Sequence, residues 1–109
     1  MTHGKTIRVR DLASARSGDK GTIANISLIA FRAEDYARLE RHVTAARVRE
    51  RFAALVTGDV HRYEIPSIAA LNFVLHGMVD GGVTRTLALD THGKALSSAL
   101  LDMEIPDDD

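Results

Sequence analysis

Apolar and charged residues alternate from Thr6 to Leu12, with Ile7 and Val9 set against Arg8, Arg10 and Asp11, the period of a strand with one wet face. Ala13 to Gly21 (ASARSGDKG) is small and polar with two glycines, and reads as a loop. Ile23 to Phe31 is apolar with β-branched members and predicts a central strand. From Ala33 the spacing is helical, with Glu34 and Arg38 one turn apart and the acid first. Thr44 suits the N-cap of a second helix reaching about Leu55, in which Val48, Phe52 and Leu55 form one stripe. Thr57-Gly58-Asp59 marks a turn and Val60 to Ile65 a third strand, which Pro66 ends because proline cannot donate to a ladder. Ser67 to Val79 reads as a short apolar helix, Asp80-Gly81-Gly82 as a turn and Val83 to Asp90 as a fourth strand. Leu96, Leu100 and Met103 give Lys94 to Met103 the spacing of a last helix.

Strands interleaved with helices in this order predict an α+β domain, a two-layer sandwich with helices on one face of a four-stranded, mainly antiparallel sheet. A ferredoxin-like sheet accommodates the order, including in circularly permuted form. The spacing does not specify which strands pair. Residues 1–106 read as a single domain, and 107–109 as an acidic disordered tail.

Composition narrows the function classes. The 109 residues carry 14 Lys plus Arg against 15 Asp plus Glu, which argues against a nucleic-acid binder. The absence of cysteine excludes disulfides, iron–sulfur clusters and thiol nucleophiles. The apolar run at Ile23 to Phe31 falls far short of the roughly 20 residues of a membrane helix. The first residues lack the apolar core of a leader peptide, so the expected setting is cytoplasmic, with no membrane partner. His3, His42, His61, His76 and His92 show no ligand spacing, and no metal site is expected. Gly81-Gly82 and Gly93-Lys94 match neither the P-loop nor the dinucleotide fingerprint, and no cofactor is expected.

The densest polar cluster is Arg16-Ser17-Gly18-Asp19-Lys20-Gly21. Ser17 and Lys20 have the S-x-x-K spacing of a serine nucleophile and its lysine base, but that pairing needs a helix start, and the glycines favour a loop. A loop of this kind can converge backbone N–H groups on an anion, with Lys20 and Arg16 adding charge. The competing reading is a tight turn in which Asp19 satisfies local backbone donors. In the third strand Arg62 and Glu64 share one face, and Tyr63 and Ile65 the other. Asn72 interrupts an apolar run, where a buried amide must find partners: it tethers a neighbouring loop or points into a site.

Together, RSGDKG with Ala24-Asn25-Ile26, RYEIP with Ala70-Leu71-Asn72-Phe73, and GGVTRTL with Asp90 and Gly93-Lys94-Ala95-Leu96 resemble the AtuA-like C-terminal domain, from about Arg8 to Met103. That family is best known as the small C-terminal part of the acyclic terpene utilisation protein. The resemblance implies a ferredoxin-like fold and a setting in bacterial catabolism of branched acyl-CoA or terpenoid compounds. It further implies a large AtuA-type chain as partner. Its polar signature falls on Ser17, Gly18, Asp19, Lys20, Gly21, Asn25, Arg62, Tyr63, Asn72, Gly81, Gly82 and Lys94. Asp80 stands where the resemblance would place glycine, Ala88 near an expected arginine, and Ser27 where glycine is common.

Two functions of different class follow. In one, the chain is an accessory subunit of a homo- or hetero-oligomer that docks on the large chain. Arg16, Ser17, Gly18, Asp19, Lys20, Gly21 and Asn25 then bind an anion such as an acyl-CoA or carboxylate, supported by Arg62, Tyr63 and Asn72. In the other, it is a structural or oligomerisation module with no ligand of its own. No catalytic residue is assigned, and an autonomous enzyme would have to recruit Asp19, Lys20, Glu64 and His76, which nothing in the spacing brings together.

Overall fold

A computed structural model describes residues 5–78 and 94–107. Its elements are β1 (Thr6–Arg8), β2 (Ala13–Lys20), β3 (Ile23–Ala30), α1 (Ala33–His42), α2 (Ala45–Arg51), β4 (Val60–Ile65), β5 (Ala70–Leu75), α3 (Lys94–Leu101) and β6 (Glu104–Pro106). The predicted turn at Asp80-Gly81-Gly82 and the predicted strand Val83 to Asp90 lie outside the described residues.

β2, β3, β5 and β4, in that order, form a four-stranded sheet in which every neighbouring pair is antiparallel. β3 and β4 therefore run parallel, with β5 inserted between them and α1 and α2 forming the crossover. This is the split β-α-β arrangement of the ferredoxin-like fold, entered one strand early, so that the hairpin β2–β3 opens the domain. The expectation of a two-layer α+β sandwich in circularly permuted form holds. β1 and β6 make a separate antiparallel ribbon, which Asp107 extends by donating its backbone N–H to the Lys5 carbonyl.

Strict alternation buries one face of β3, through Ala24, Ile26, Leu28 and Ala30, while β5 contributes Leu71, Phe73 and Leu75. These join Leu39 and Val43 from the α1 region, Val48 from α2 and Phe52 just after it, and Leu96 and Leu100 from α3 in a single core. α1 packs against β3, α2 against β4 and α3 against β2. Thr44 caps α2 as expected, its hydroxyl accepting from the Arg47 N–H. α2 closes at Arg51, and Phe52 to Leu55 continue as turns that still bury Phe52 and Leu55.

Three elements differ from the expectation, each for a physical reason. Ala13 to Lys20 is a strand and not a loop: Ala13 is buried opposite Ala30, while Ser14, Arg16 and Lys20 stand exposed on the other side. Its small residues mask an ordinary period of two, and α3 packs on them. The loop shrinks to Gly21-Thr22, where Gly21 (φ +65°) takes the first position of a type II′-like hairpin turn. Ser67 to Val79 is not a helix. Pro66–Ile68 forms a single 3-10 turn, Ala69 adopts a left-handed conformation (φ 55°), and β5 follows. A central strand flanked on both sides carries apolar residues on both faces, and periodicity alone does not separate it from a helix. Finally, the first strand stops at Arg8 because Val9–Asp11 turns inward as a 3-10 helix, burying Val9.

Candidate functional site on the uncovered sheet face

The helices cover one face of the sheet, and the register determines what the other presents. Facing residues across an antiparallel sheet share a side, so the open face can be read in rows running across the strands. One row is Ser14, Ile29, Ala70 and Ile65; the next is Arg16, Ser27, Asn72 and Tyr63; a third is Gly18, Asn25, Val74 and His61. Lys20 and Ile23 begin a fourth beside the hairpin turn.

The middle row is polar across all four strands. The Ser27 hydroxyl donates to Asn72 Oδ1 at 3.0 Å, and the Asn72 backbone faces Tyr63, which is exposed. Asn72 thus holds a cross-strand hydrogen bond instead of tethering a loop. Asn25 lies over Gly18, its Oδ1 only 3.3 Å from the point a Cβ would occupy there. The glycine lets the amide lie across β2 between Arg16 and Lys20. Neither Arg16 nor Lys20 makes an ion pair or side-chain hydrogen bond among the described residues. His61 and His76 meet edge to face at one margin, with ring centroids 5.2 Å apart.

Around these polar groups the face is greasy. Ile23, Ile29, Tyr63 and Ile65 are 38–54% exposed, and Phe31 and Ile68 at its upper margin exceed half. Its strand positions include two cations and no carboxylate.

The remaining candidate residues sit elsewhere. Ser17 is half-buried opposite Ile26 on the helix side and is already engaged, and Asp19 is in register with Ala24. Ser17 and Lys20, an odd number of strand residues apart, project to opposite faces, so they form no nucleophile–base pair. The backbone of this stretch is a ladder and not a converging cradle. Phe31 N–H donates to the Leu12 carbonyl and Ala30 N–H to Ala69, and the alternation this sets directs Arg16, Gly18 and Lys20 amides toward β3.

Arg62 also lies on the helix side, opposite Phe73. Its Nη1 donates to the carbonyls of Glu40 (2.6 Å) and Val43 (3.0 Å), and Nη2 to Glu64 Oε2 (2.8 Å). It satisfies carbonyls at the C-terminus of α1 that the helix cannot. Nearby, burial pushes the Tyr36 phenol above its ordinary range, and the charges of Glu40 and Glu64 add to the shift. Arg62→Ala is expected to lower stability by about 1–3 kcal/mol, since two carbonyls lose their donor. Urea denaturation measures it, with Tyr63→Ala on the opposite face as the control that moves little.

Ser27 and His61 are the site members that the pattern reading overlooks. The signal was present, because positions two apart along one strand share a face, Ser27 with Asn25 and His61 with Tyr63, but it becomes usable only once the register is known. No group of three or more His, Asp or Glu suited to a metal occurs among the described residues, and no helix there is long and apolar enough to cross a membrane. Gly81 and Gly82 lie outside the described residues, and Lys94 opens α3.

The sheet order and the half-covered sheet define a permuted ferredoxin-like domain. Residues 7–106 match the AtuA ferredoxin-like domain, and the chain belongs to that family. No curated protein and no solved structure matches it.

Proposed function

We propose that this chain is an accessory subunit that docks through its open sheet face on a large AtuA-type chain, in bacterial catabolism of branched acyl-CoA or terpenoid compounds. Family membership supports the partner and the setting. The observation that carries the docking role is the polar row Arg16–Ser27–Asn72–Tyr63, flanked by exposed isoleucines on a face whose described strand positions hold no carboxylate. Such a surface complements one that is apolar opposite the isoleucines and acidic opposite Arg16 and Lys20. Arg16 and Lys20 supply side-chain donors for an anionic group, a carboxylate of the partner or of a bound acyl compound. Binding thus rests on two side chains beside Asn25, in place of backbone amides.

Mixing the purified chain with the large subunit and measuring association by analytical ultracentrifugation tests the reading. A complex is expected, weakened at least about tenfold by Arg16→Glu with Lys20→Glu. No complex, or one indifferent to these changes and to Ile29→Asp, removes it. Titrating isovaleryl-CoA into the chain, with and without the large subunit, tests the ligand: no binding in either case removes that part.

The exposed Ile29, Ile65, Phe31 and Ile68 favour a second reading, a self-associating module. A stable homodimer of the isolated chain, dissociated by Ile29→Asp, would select it. Against a face-to-face homodimer stands the charge, since Arg16 and Lys20 would meet a copy of a face whose described strand positions carry no acid.

A further inference from the structure

On another side of the molecule a cleft of about 500 Å³ is lined by Arg8, Arg51, Asp102, Met103 and Glu104. A hollow of about 290 Å³ adjoins it, sharing Arg51 and Met103 and adding Arg47 and Glu50. Three guanidinium groups from two elements therefore border the two hollows, Arg51 lining both: Arg47 and Arg51 stand one turn apart on α2, and Arg8 ends β1. None belongs to the open sheet face.

Two of the three acids around this cleft have partners. Arg10 donates to Asp102 Oδ1 from Nε (3.0 Å) and Nη2 (2.5 Å). That hydrogen bond, helped by the charges of Arg10, Arg8 and Arg51, holds the Asp102 carboxyl below the usual range despite some desolvation. Glu104 Oε1 accepts from the Thr6 hydroxyl at 3.3 Å. The arginines are differently placed. Arg51 uses Nε to donate to the Ala99 carbonyl at 3.0 Å, which orients its fork, and its terminal amino groups make no hydrogen bond among the described residues. Arg8 and Arg47 form no ion pair among the described residues. The lining holds three guanidiniums and three carboxylates, Glu50, Asp102 and Glu104, of which Asp102 is paired with Arg10.

We propose that this cleft binds the phosphates of an organic diphosphate between Arg8, Arg47 and Arg51. A single carboxylate has too few oxygens to engage three planar forks, whereas the five non-bridging oxygens of an organic diphosphate, each able to accept more than one hydrogen bond, serve all three. Met103, which lines both hollows, gives the organic portion an apolar contact. The volume is in the range of small-ligand sites, roughly 300–1,000 Å³.

Titration calorimetry of the intact chain with inorganic pyrophosphate and with adenosine 5′-diphosphate tests this. Both are expected to bind, the nucleotide more tightly. Arg8→Ala and Arg47→Ala, at exposed positions, should each weaken binding about tenfold, the worth of one charge-assisted hydrogen bond. Arg51→Lys, which keeps the charge and loses the fork, should weaken it too, with circular dichroism checking the fold. Arg16→Ala with Lys20→Ala should leave affinity unchanged. Absence of binding, or affinity unmoved by Arg8→Ala and Arg47→Ala, overturns the proposal. Loss caused by the Arg16 and Lys20 changes overturns it as well, and places the anion on the open face. Equal affinity for the two compounds overturns the organic assignment in favour of the inorganic anion.

Discussion

Phe73→Ala is expected to lower the unfolding free energy by about 3–5 kcal/mol, the cost of emptying an aromatic site in a packed core. Phe73 is fully buried on β5, paired with Ile26 of β3 on one side and Arg62 of β4 on the other. Removing it loosens β5 against β3, the other central strand, and beside Arg62, the residue that closes α1. Since a domain of this kind holds only about 5–15 kcal/mol in reserve, the variant should unfold at much lower urea with an unchanged slope. Asn72→Ala, one residue earlier but on the opposite face, provides the contrast. It removes one half-exposed hydrogen bond to Ser27, worth about 0.5–1.5 kcal/mol, and should reduce partner binding more than stability. If Phe73→Ala proves as mild as Asn72→Ala, the assignment of the two faces is wrong.

Gly77→Ala should be nearly as damaging. Gly77 has φ +71°, and a Cβ there would lie 2.6 Å from Thr57 Oγ1 and 2.8 Å from the Gly58 nitrogen. Left-handed strain costs about 1–3 kcal/mol. The overlap adds about 1–3 kcal/mol, because the neighbour includes backbone that cannot rotate away. The site matters because Thr57 N–H and Oγ1 both donate to the Gly77 carbonyl, and Gly58 N–H to His76. These bonds, with Met78 N–H donating to Thr22, tie the end of β5 to the segment before β4 and to the hairpin turn beside Lys20. A thermal melt and hydrogen exchange at Thr57, Gly58 and Met78 would read the loss. Unchanged protection at these amides would show that the close approach carries no strain.

The site depends on the fold in a direct way. β2, β3, β5 and β4 each place one polar residue at the same level of the open face, although Arg16, Ser27, Tyr63 and Asn72 are widely separated in sequence. The polar row needs no loop and no special backbone. A slip of one residue in any strand would carry its member to the helix side, so the hydrophobic registry that builds the core also builds the row.

Local chemistry in the chain determined much of this protein: the strands β3 and β4, the start of α1, the Thr44 cap, the stop at Pro66, the last helix and the α+β class all follow from periodicity and capping. So did the family, since several separated motifs in one order are specific where each alone is not. Residues such as Arg16, Tyr63 and Asn72 stood out by type. What they share was decided only by tertiary pairing. Small residues concealed β2, and an apolar run buried in mid-sheet passed for a helix, because local pattern reports how often a residue is buried and not what lies across from it. Strand register is a non-local quantity, set when one hydrophobic face closes on the helices. That closure sent Arg62 to the end of α1, separated Ser17 from Lys20, and lined up the polar row on the face left open.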